Sequence, residues 1–380
     1  MGNNGRGKGE DGTKWEIVST TTTHPGRLQK QNILRQTPGS TLYAKISVTA
    51  TRVASSWRLL INEPMLKHTK LCTESEARKQ LEDNTWHISL MEIDSFIALL
   101  YAHGFNCAKG LEVDSLWSTK WGPQFFRDPM SRDRFREIMK FIRFDLKDQR
   151  SARLVKYKFA LVSEVWDSFI ENCLLCFVPG ANITVVEQLF PTKARCKFTQ
   201  YMANKPDKFG IKFWLAADVD TKYLLNGFPF LGKDVNRPPN QSLPEHVMKR
   251  MAPYFGKAKK LKMQSTSLEG TVNRAQLEIP QSEKTRKAPL YDTVVMKNYE
   301  TTLTVYQGKK NKNVLVLSTL HPNISIGNDQ KHLPETVTFY NATKYIVDVF
   351  DQMARKYSVN AASRRWPVQF FFTTYSTLLE

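Results

Sequence analysis

Two acids, Asp348 and Asp351, stand three residues apart in the stretch YNATKYIVDVFDQMARKYS, residues 340–358. On a helix that spacing puts both carboxylates on one face, one turn apart. Tyr345, Ile346, Val349 and Phe350 flank them with apolar surface. Paired carboxylates are hard oxygen donors, the ligand type a divalent ion such as Mg²⁺ takes. The same spacing also serves a solvated helix edge. Whether other acids join the pair decides between the two, so the elements that would bring them there come next.

The chain has 380 residues, enough for two or three domains and a sizeable core. No uninterrupted apolar run reaches membrane-spanning length. The N-terminus MGNNGRGKGEDGTKW is polar and has no apolar leader. These features predict an intracellular protein without a membrane partner. The formal net charge of +19, with 55 Lys+Arg against 36 Asp+Glu, favours a polyanionic partner, most simply nucleic acid. Five scattered cysteines (Cys72, Cys107, Cys173, Cys176 and Cys196) argue for a reducing compartment rather than a disulfide framework. Cys173 and Cys176 share a helical stripe with Val162, Trp166 and Phe169, and no second pair follows at zinc-finger spacing, which predicts core cysteines. GRGKG in the tail lacks the strand and helix of a phosphate-binding loop.

Along the chain, residues 1–55 are rich in Gly, Thr, Lys and Arg without periodicity, and read as a disordered basic tail. Helices follow. SLME at 89–92 is a capping box ahead of Ile93, Phe96, Ile97 and Leu100. Phe135, Ile138, Met139 and Ile142 recur at helical spacing, and a third helix covers roughly 159–177. The texture then turns strand-like: NITVVEQLF, then IKFWLAADV and KYLLNGFPFLG as a hairpin around DVDTK. Ser242 to Glu245 is a second capping box. TVVMKNYETTLTVYQ and NVLVLSTL read as two strands around the basic turn GKKNKN. A helical block followed by mixed strands and helices fits an α+β or α/β protein.

Several blocks, in order, resemble the piggyBac transposase family, including its host-domesticated, transposable element-derived members. MSRDRFREIMKFIRFD (130–145) is similar to the helical-domain motif of that family. VVEQLFPTKARCKFTQYMANKPDKFGIKFWLAAD (185–218) resembles its first catalytic block. GTVNRAQLEIP (270–280) and YNATKYIVDVFDQMARKYSVNAASRRWP (340–367) match two later ones. The resemblance covers roughly residues 56–380 and implies an RNase H-like domain of the DDE superfamily, with three aspartates binding two Mg²⁺ ions for strand transfer.

Carried over residue by residue, the third aspartate falls on Asp348, with Asp351 beside it. The first falls on Val186, which cannot ligate a metal; Glu187 next to it should face away, since strand neighbours alternate. The second belongs to a block that should follow APYFG, and no such block stands between Lys257 and GTVNR. The resemblance implies that a core strand goes with it, leaving NITVVEQLF with an altered neighbour. Ala194 and Ala203 replace a family Gly and Pro. The Cys-rich zinc module found at the C-terminus of many members does not follow.

These readings together predict a disordered tail over 1–55 and a helical domain of piggyBac type over 56–179. A degraded RNase H-like domain follows over 180–355, with a β-rich insertion about 281–338, and a truncated helix over 356–380. The predicted protein is non-catalytic and binds DNA non-specifically through Lys257, Lys259, Lys260, Lys262, Lys309, Lys310, Lys312, Arg364 and Arg365. Mg²⁺ belongs to the family and is not expected to bind productively here. The family and the charge point to the nucleus, and the sequence allows a homodimer without requiring one. Two alternatives stand beside this reading. One is an active Mg²⁺-dependent transposase or nuclease with substitute ligands, for which Asp218 and Asp220 are the nearby acids. The other is a decayed element copy without a selected function.

Overall fold

A computed structural model describes residues 6–20, 37–49, 53–105, 112–203, 205, 207–233, 237–239, 241–259, 267–346, 349, 352, 363 and 365–377. The chain begins with strands β1 (Arg6–Lys8) and β2 (Lys14–Val18), then β3 (Gly39–Ser40). Helices α1 (Leu42–Ser47), α2 (Val53–Leu60), α3 (Glu63–Leu81), α4 (Leu90–Phe105), α5 (Val113–Leu116), α6 (Arg132–Phe141), α7 (Lys147–Lys156) and α8 (Ser163–Cys176) follow. Next are β4 (Phe177–Val178), β5 (Ile183–Pro191), β6 (Gln200–Tyr201), β7 (Phe209–Asp218), β8 (Leu224–Pro229) and α9 (Leu243–Lys259). The last third holds β9 (Glu269–Thr271), α10 (Gln281–Lys284), β10 (Thr293–Asn298), β11 (Thr301–Lys309), β12 (Lys312–Ser318), α11 (Glu335–Lys344) and a C-terminal helix, Trp366–Thr377.

These elements form two compact units. One comprises residues 36–259 and 346–380, the other 1–35 and 260–345. The split differs from the boundaries expected from sequence in two ways. The helices of 56–179 do not stand apart from the strands that follow, and the sheet expected at 281–338 also takes in β1, β2 and β9.

In the first unit the helices and a four-stranded antiparallel sheet share one core. β7 is the central strand, with β5 along one side and β6 and β8 along the other. Trp166 and Phe169 of α8 pack with Phe213 of β7, and Trp166 Nε1 donates to Gly227 O at 3.1 Å. Val247 and Met251 of α9 pack with Ala216 and Phe228 in a second cluster. Among the described strands β5 pairs with β7 alone. The local signals act as their chemistry requires. Ser89 Oγ accepts from Glu92 N at 3.1 Å while Glu92 Oε2 accepts from Ser89 N at 2.8 Å, so both orphan donors at the start of α4 are satisfied. At α9 one half of the predicted box forms, Glu245 N to Ser242 Oγ at 3.4 Å. The Glu245 carboxylate turns to Lys249 instead, at 2.6 Å. Trp366 is buried against Phe159 and Phe198, and Phe370 stacks on Phe213 at 5.1 Å, which seats the C-terminal helix in this core.

The second unit is a six-stranded antiparallel sheet in the order β1-β2-β10-β11-β12-β9. The expected disorder of 1–55 therefore fails at residues 6–18, which supply two of its strands, and again at α1. Asp11 closes the β1–β2 turn by accepting from Thr13 N and Thr13 Oγ1, and Gly12 takes the positive φ of +95° that the turn needs. Trp15 is 2% exposed and packs with Ile279, Met296, Leu303 and Leu315 on one sheet face. On the other face Val337 of α11 packs with Tyr306 and Val316, and Thr336 Oγ1 donates to Thr304 Oγ1 at 2.9 Å. The stretch TVVMKNYETTLTVYQ, expected as one strand, is two: it reverses at Tyr299, which has φ 49°.

Candidate active site

Position 186 lies near the middle of β5, opposite Leu215 of β7; Glu187 and Gln188 stand opposite Trp214 and Phe213. Val186 is 3% exposed and belongs to the apolar core that also holds Phe213, Leu215 and Ile346. Strand alternation sends Glu187 to the other face. There its Oε1 lies 2.6 Å from Lys212 Nζ, and that ammonium sits 4.5 Å from the Trp214 ring centre. Glu187 is thus held by a cation and does not turn toward Val186.

Gln188 shares the face of Val186 and is fully buried, and its Oε1 has no hydrogen-bond partner among the described residues. It is a neutral amide oxygen. Mg²⁺ demands near-octahedral oxygen coordination and, in two-metal sites, shared carboxylates. One amide beside a hydrocarbon does not meet that demand.

Asp218 ends β7 and is 1% exposed. Its Oδ2 accepts from Gly180 N at 2.5 Å, and its Oδ1 from Asp220 N, Thr221 N and Thr221 Oγ1 at 3.1, 2.8 and 2.8 Å. A carboxylate offers about four lone-pair sites, and four donors already address them. Asp218 therefore closes the β7–β8 turn and fixes the chain at Gly180. A Cβ on Gly180 would lie 2.9 Å from Asp218 Oδ2, so a larger residue there would displace the Asp218 carboxylate. Asp220 is exposed at the same turn. Neither acid faces Val186 as a substitute ligand. No group of three or more His, Cys, Asp or Glu that could hold a metal ion occurs among the described residues. Among the described residues, those around Val186 do not fit a two-metal centre. Asp348 and Asp351 lie outside the described residues.

The predicted DNA contacts fare unevenly. Lys309, Lys310 and Lys312 are exposed at the β11–β12 turn, and Gln307 Nε2 donates to Lys309 O at 2.7 Å, which braces it. The neighbouring basic cluster at 282–287 is largely neutralised: Lys284 pairs with Glu10 at 2.8 Å, and Arg286 with Glu283 and Asp292. Arg365 is a correction. Its guanidinium donates to Met139 O and, at 2.9 Å, to Ile142 O, so it caps the C-terminal carbonyls of α6 rather than facing a ligand. Lys257 and Lys259 fall in the last turn of α9. Lys260, Lys262 and Arg364 lie outside the described residues. Cys173 and Cys176 are buried in α8, and burial raises both thiols; the same cause pushes Cys72 up to about 12.

One feature of the surface is not predicted by any motif: Tyr201 and Phe209 form an exposed ring pair in register across β6 and β7. The interleaving of aromatic and basic residues in KARCKFTQY, 193–201, is the signal that points to it.

Comparison with known proteins places this geometry. The family model described as Transposase IS4, of the DDE transposases, matches residues 58–379. A cryo-EM structure of a piggyBac transposase synaptic complex with hairpin DNA is similar with a TM-score of 0.80 and 25% sequence identity, over 90% of this chain and 76% of that one. The mixed helix-and-sheet architecture is thus the RNase H-like DDE fold. With the family match running through both the helical segment and the sheet that carries Val186, the chain belongs to the Transposase IS4 family, the DDE transposases of piggyBac type.

Proposed function

We propose that this chain is a transposase-derived DNA-binding protein that has lost two-metal strand transfer. The observation that carries the reading is Val186: a hydrocarbon, buried in an apolar core, at the position where the family resemblance puts the first metal-binding aspartate. Glu187 and Asp218 support it, since each already has its own partners. The family's typical Mg²⁺ therefore has no assigned step here. The +19 charge and the braced cations Lys309, Lys310 and Lys312 favour a phosphate backbone as partner, and the related solved complex contains DNA. No described helix is long and apolar enough to cross a membrane. A DNA partner and the transposase family favour the nucleus as its compartment.

A salt series tests this. Duplex affinity should fall steeply with salt, by close to one unit of log–log slope per phosphate contact. Replacing Lys309, Lys310 and Lys312 by Gln should flatten that slope by up to about 3. Absence of binding at low salt would reject the reading. An active nuclease remains the competing reading: Mn²⁺-dependent cleavage of nicked or hairpin DNA, abolished by Asp348→Ala, would establish it.

A further inference from the structure

Between β5 and β7 the described residues 192–203 connect to β6 at the end of the sheet. Exposure alternates there. Thr192, Ala194 and Phe198 are buried and Cys196 is half-buried, while Lys193, Arg195 and Lys197 are exposed. Three cations therefore project from the solvent side of one short segment, anchored by Thr192 N donating to Phe209 O. Lys208 adds a fourth exposed cation next to Phe209. None of these four makes an ion pair among the described residues. The stretch 192–209 holds five cations and one acid, Asp207.

At the same end of the sheet, Tyr201 and Phe209 stand directly opposite each other, 58% and 57% exposed, with ring centres 5.0 Å apart and planes at 51°. Large apolar rings left this open to water lose the benefit of burial. Their backbones are fixed, because Gly210 fits so tightly that a Cβ would meet Phe190 O at 2.3 Å, and Met202 N donates to Lys208 O at 2.8 Å. The rings are held in place from below and uncovered above.

We infer that this surface binds unpaired nucleotides, with Tyr201 and Phe209 stacking bases and Lys193, Arg195, Lys197 and Lys208 contacting the phosphates. Cations alone would serve a duplex equally well. Exposed rings fit bases that are free of the helix stack, and any base offers a π-face, so the surface selects strand state rather than sequence. The inference rests on the DNA-binding reading above and adds the form of DNA and the place on the fold.

The test compares an oligothymidylate with a duplex of equal length. The Tyr201→Ala/Phe209→Ala double variant should weaken single-strand binding by at least roughly 5- to 150-fold, the worth of one stacked base, and leave duplex binding within a factor of about two. Tyr201→Phe should bind like the parent. As both rings are exposed, the melting temperature should not move. Lys193→Gln/Arg195→Gln/Lys197→Gln gives a second readout that removes no ring: the single-strand salt slope should fall by about 2, given about 0.7 per contact. Equal loss on both DNA forms, or loss on neither, would overturn the inference. A parent protein that binds duplex but not oligothymidylate would overturn it alone. Binding to neither would overturn the DNA-binding reading beneath it.

Discussion

Val186 sets the chemistry at the scale of one residue. Its side chain lies in a dry core, so restoring an acid there does not restore a site. A buried carboxylate without a partner is costly, and the described side chains that cluster with Val186 are apolar. Val186→Asp should lose at least ~2 kcal/mol of stability at pH 7, against about 1–3 kcal/mol for Val186→Ala, which only opens a cavity. The pH dependence separates the two. Burial raises the introduced carboxyl above its unfolded value, so the extra cost is full at neutral pH and shrinks as pH falls toward about 4. Urea unfolding at pH 7 and pH 4.5 measures it; an aspartate variant as stable as its parent at pH 7 would show that position 186 is open to water or ions. Much of this corner is readable from residue type and strand period alone: a valine cannot bind a metal, and its neighbour must face the other way. The contact of Asp218 with Gly180 and the capping role of Arg365 are not readable that way. The partners, Gly180 and the carbonyls of Met139 and Ile142, lie far along the chain, and only the fold brings them together.

At the scale of elements, α8 joins helices to sheet, and it carries an electrostatic strain of its own. Glu164, Asp167 and Glu171 follow one another at helical spacing along its outer face. Desolvation first, and then the Glu171 carboxylate, push Asp167 up to about 6. A raised carboxyl favours the protonated form in the folded chain. Its contribution is therefore neutral below the unfolded value near 4 and becomes destabilising as pH rises through 6. Asp167→Asn should raise the melting temperature at pH 7 and leave it unchanged at pH 4. Neighbouring chain crowds the carboxyl, yet much of the residue's surface stays open to water, so screening limits the gain to roughly 0.3–1 kcal/mol. A variant with no gain at pH 7 would show that Arg250 already balances the charge. Elements such as α4, α6 and α8 are legible because their caps and apolar periods are local. The β10–β11 turn is not, because Asn298-Tyr299-Glu300 has no glycine, and Tyr299 enters the left-handed region on the strength of strand pairing on both sides.

At the scale of the whole chain, one of the two compact units is organised by a pairing across about 280 residues. β2 runs antiparallel to β10, with Ile17 opposite Met296 and Val18 opposite Val295. Composition makes the first residues look unfoldable, since three- and five-residue strands bury too little by themselves. The Asp11-Gly12 turn and the alternation of Lys14, Trp15 and Glu16 are nonetheless a hairpin signal, and the remote partner gives it a core. Trp15 is the anchor: its ring fills the cluster around Met296 and Leu303, and Nε1 donates to Glu278 O at 2.8 Å. Trp15→Ala should cost about 3–5 kcal/mol. Trp15→Phe keeps most of the apolar contact and leaves the Glu278 carbonyl without its donor, so it should cost about 1–2 kcal/mol. Hydrogen exchange locates the effect. Protection should fall in β10, β11 and β12 for Trp15→Ala, while amides of β7 and α8, in the other compact unit, keep theirs. Unchanged protection in β10 would mean that the sheet holds without its N-terminal strands; equal loss in β7 would mean that the two units unfold as one.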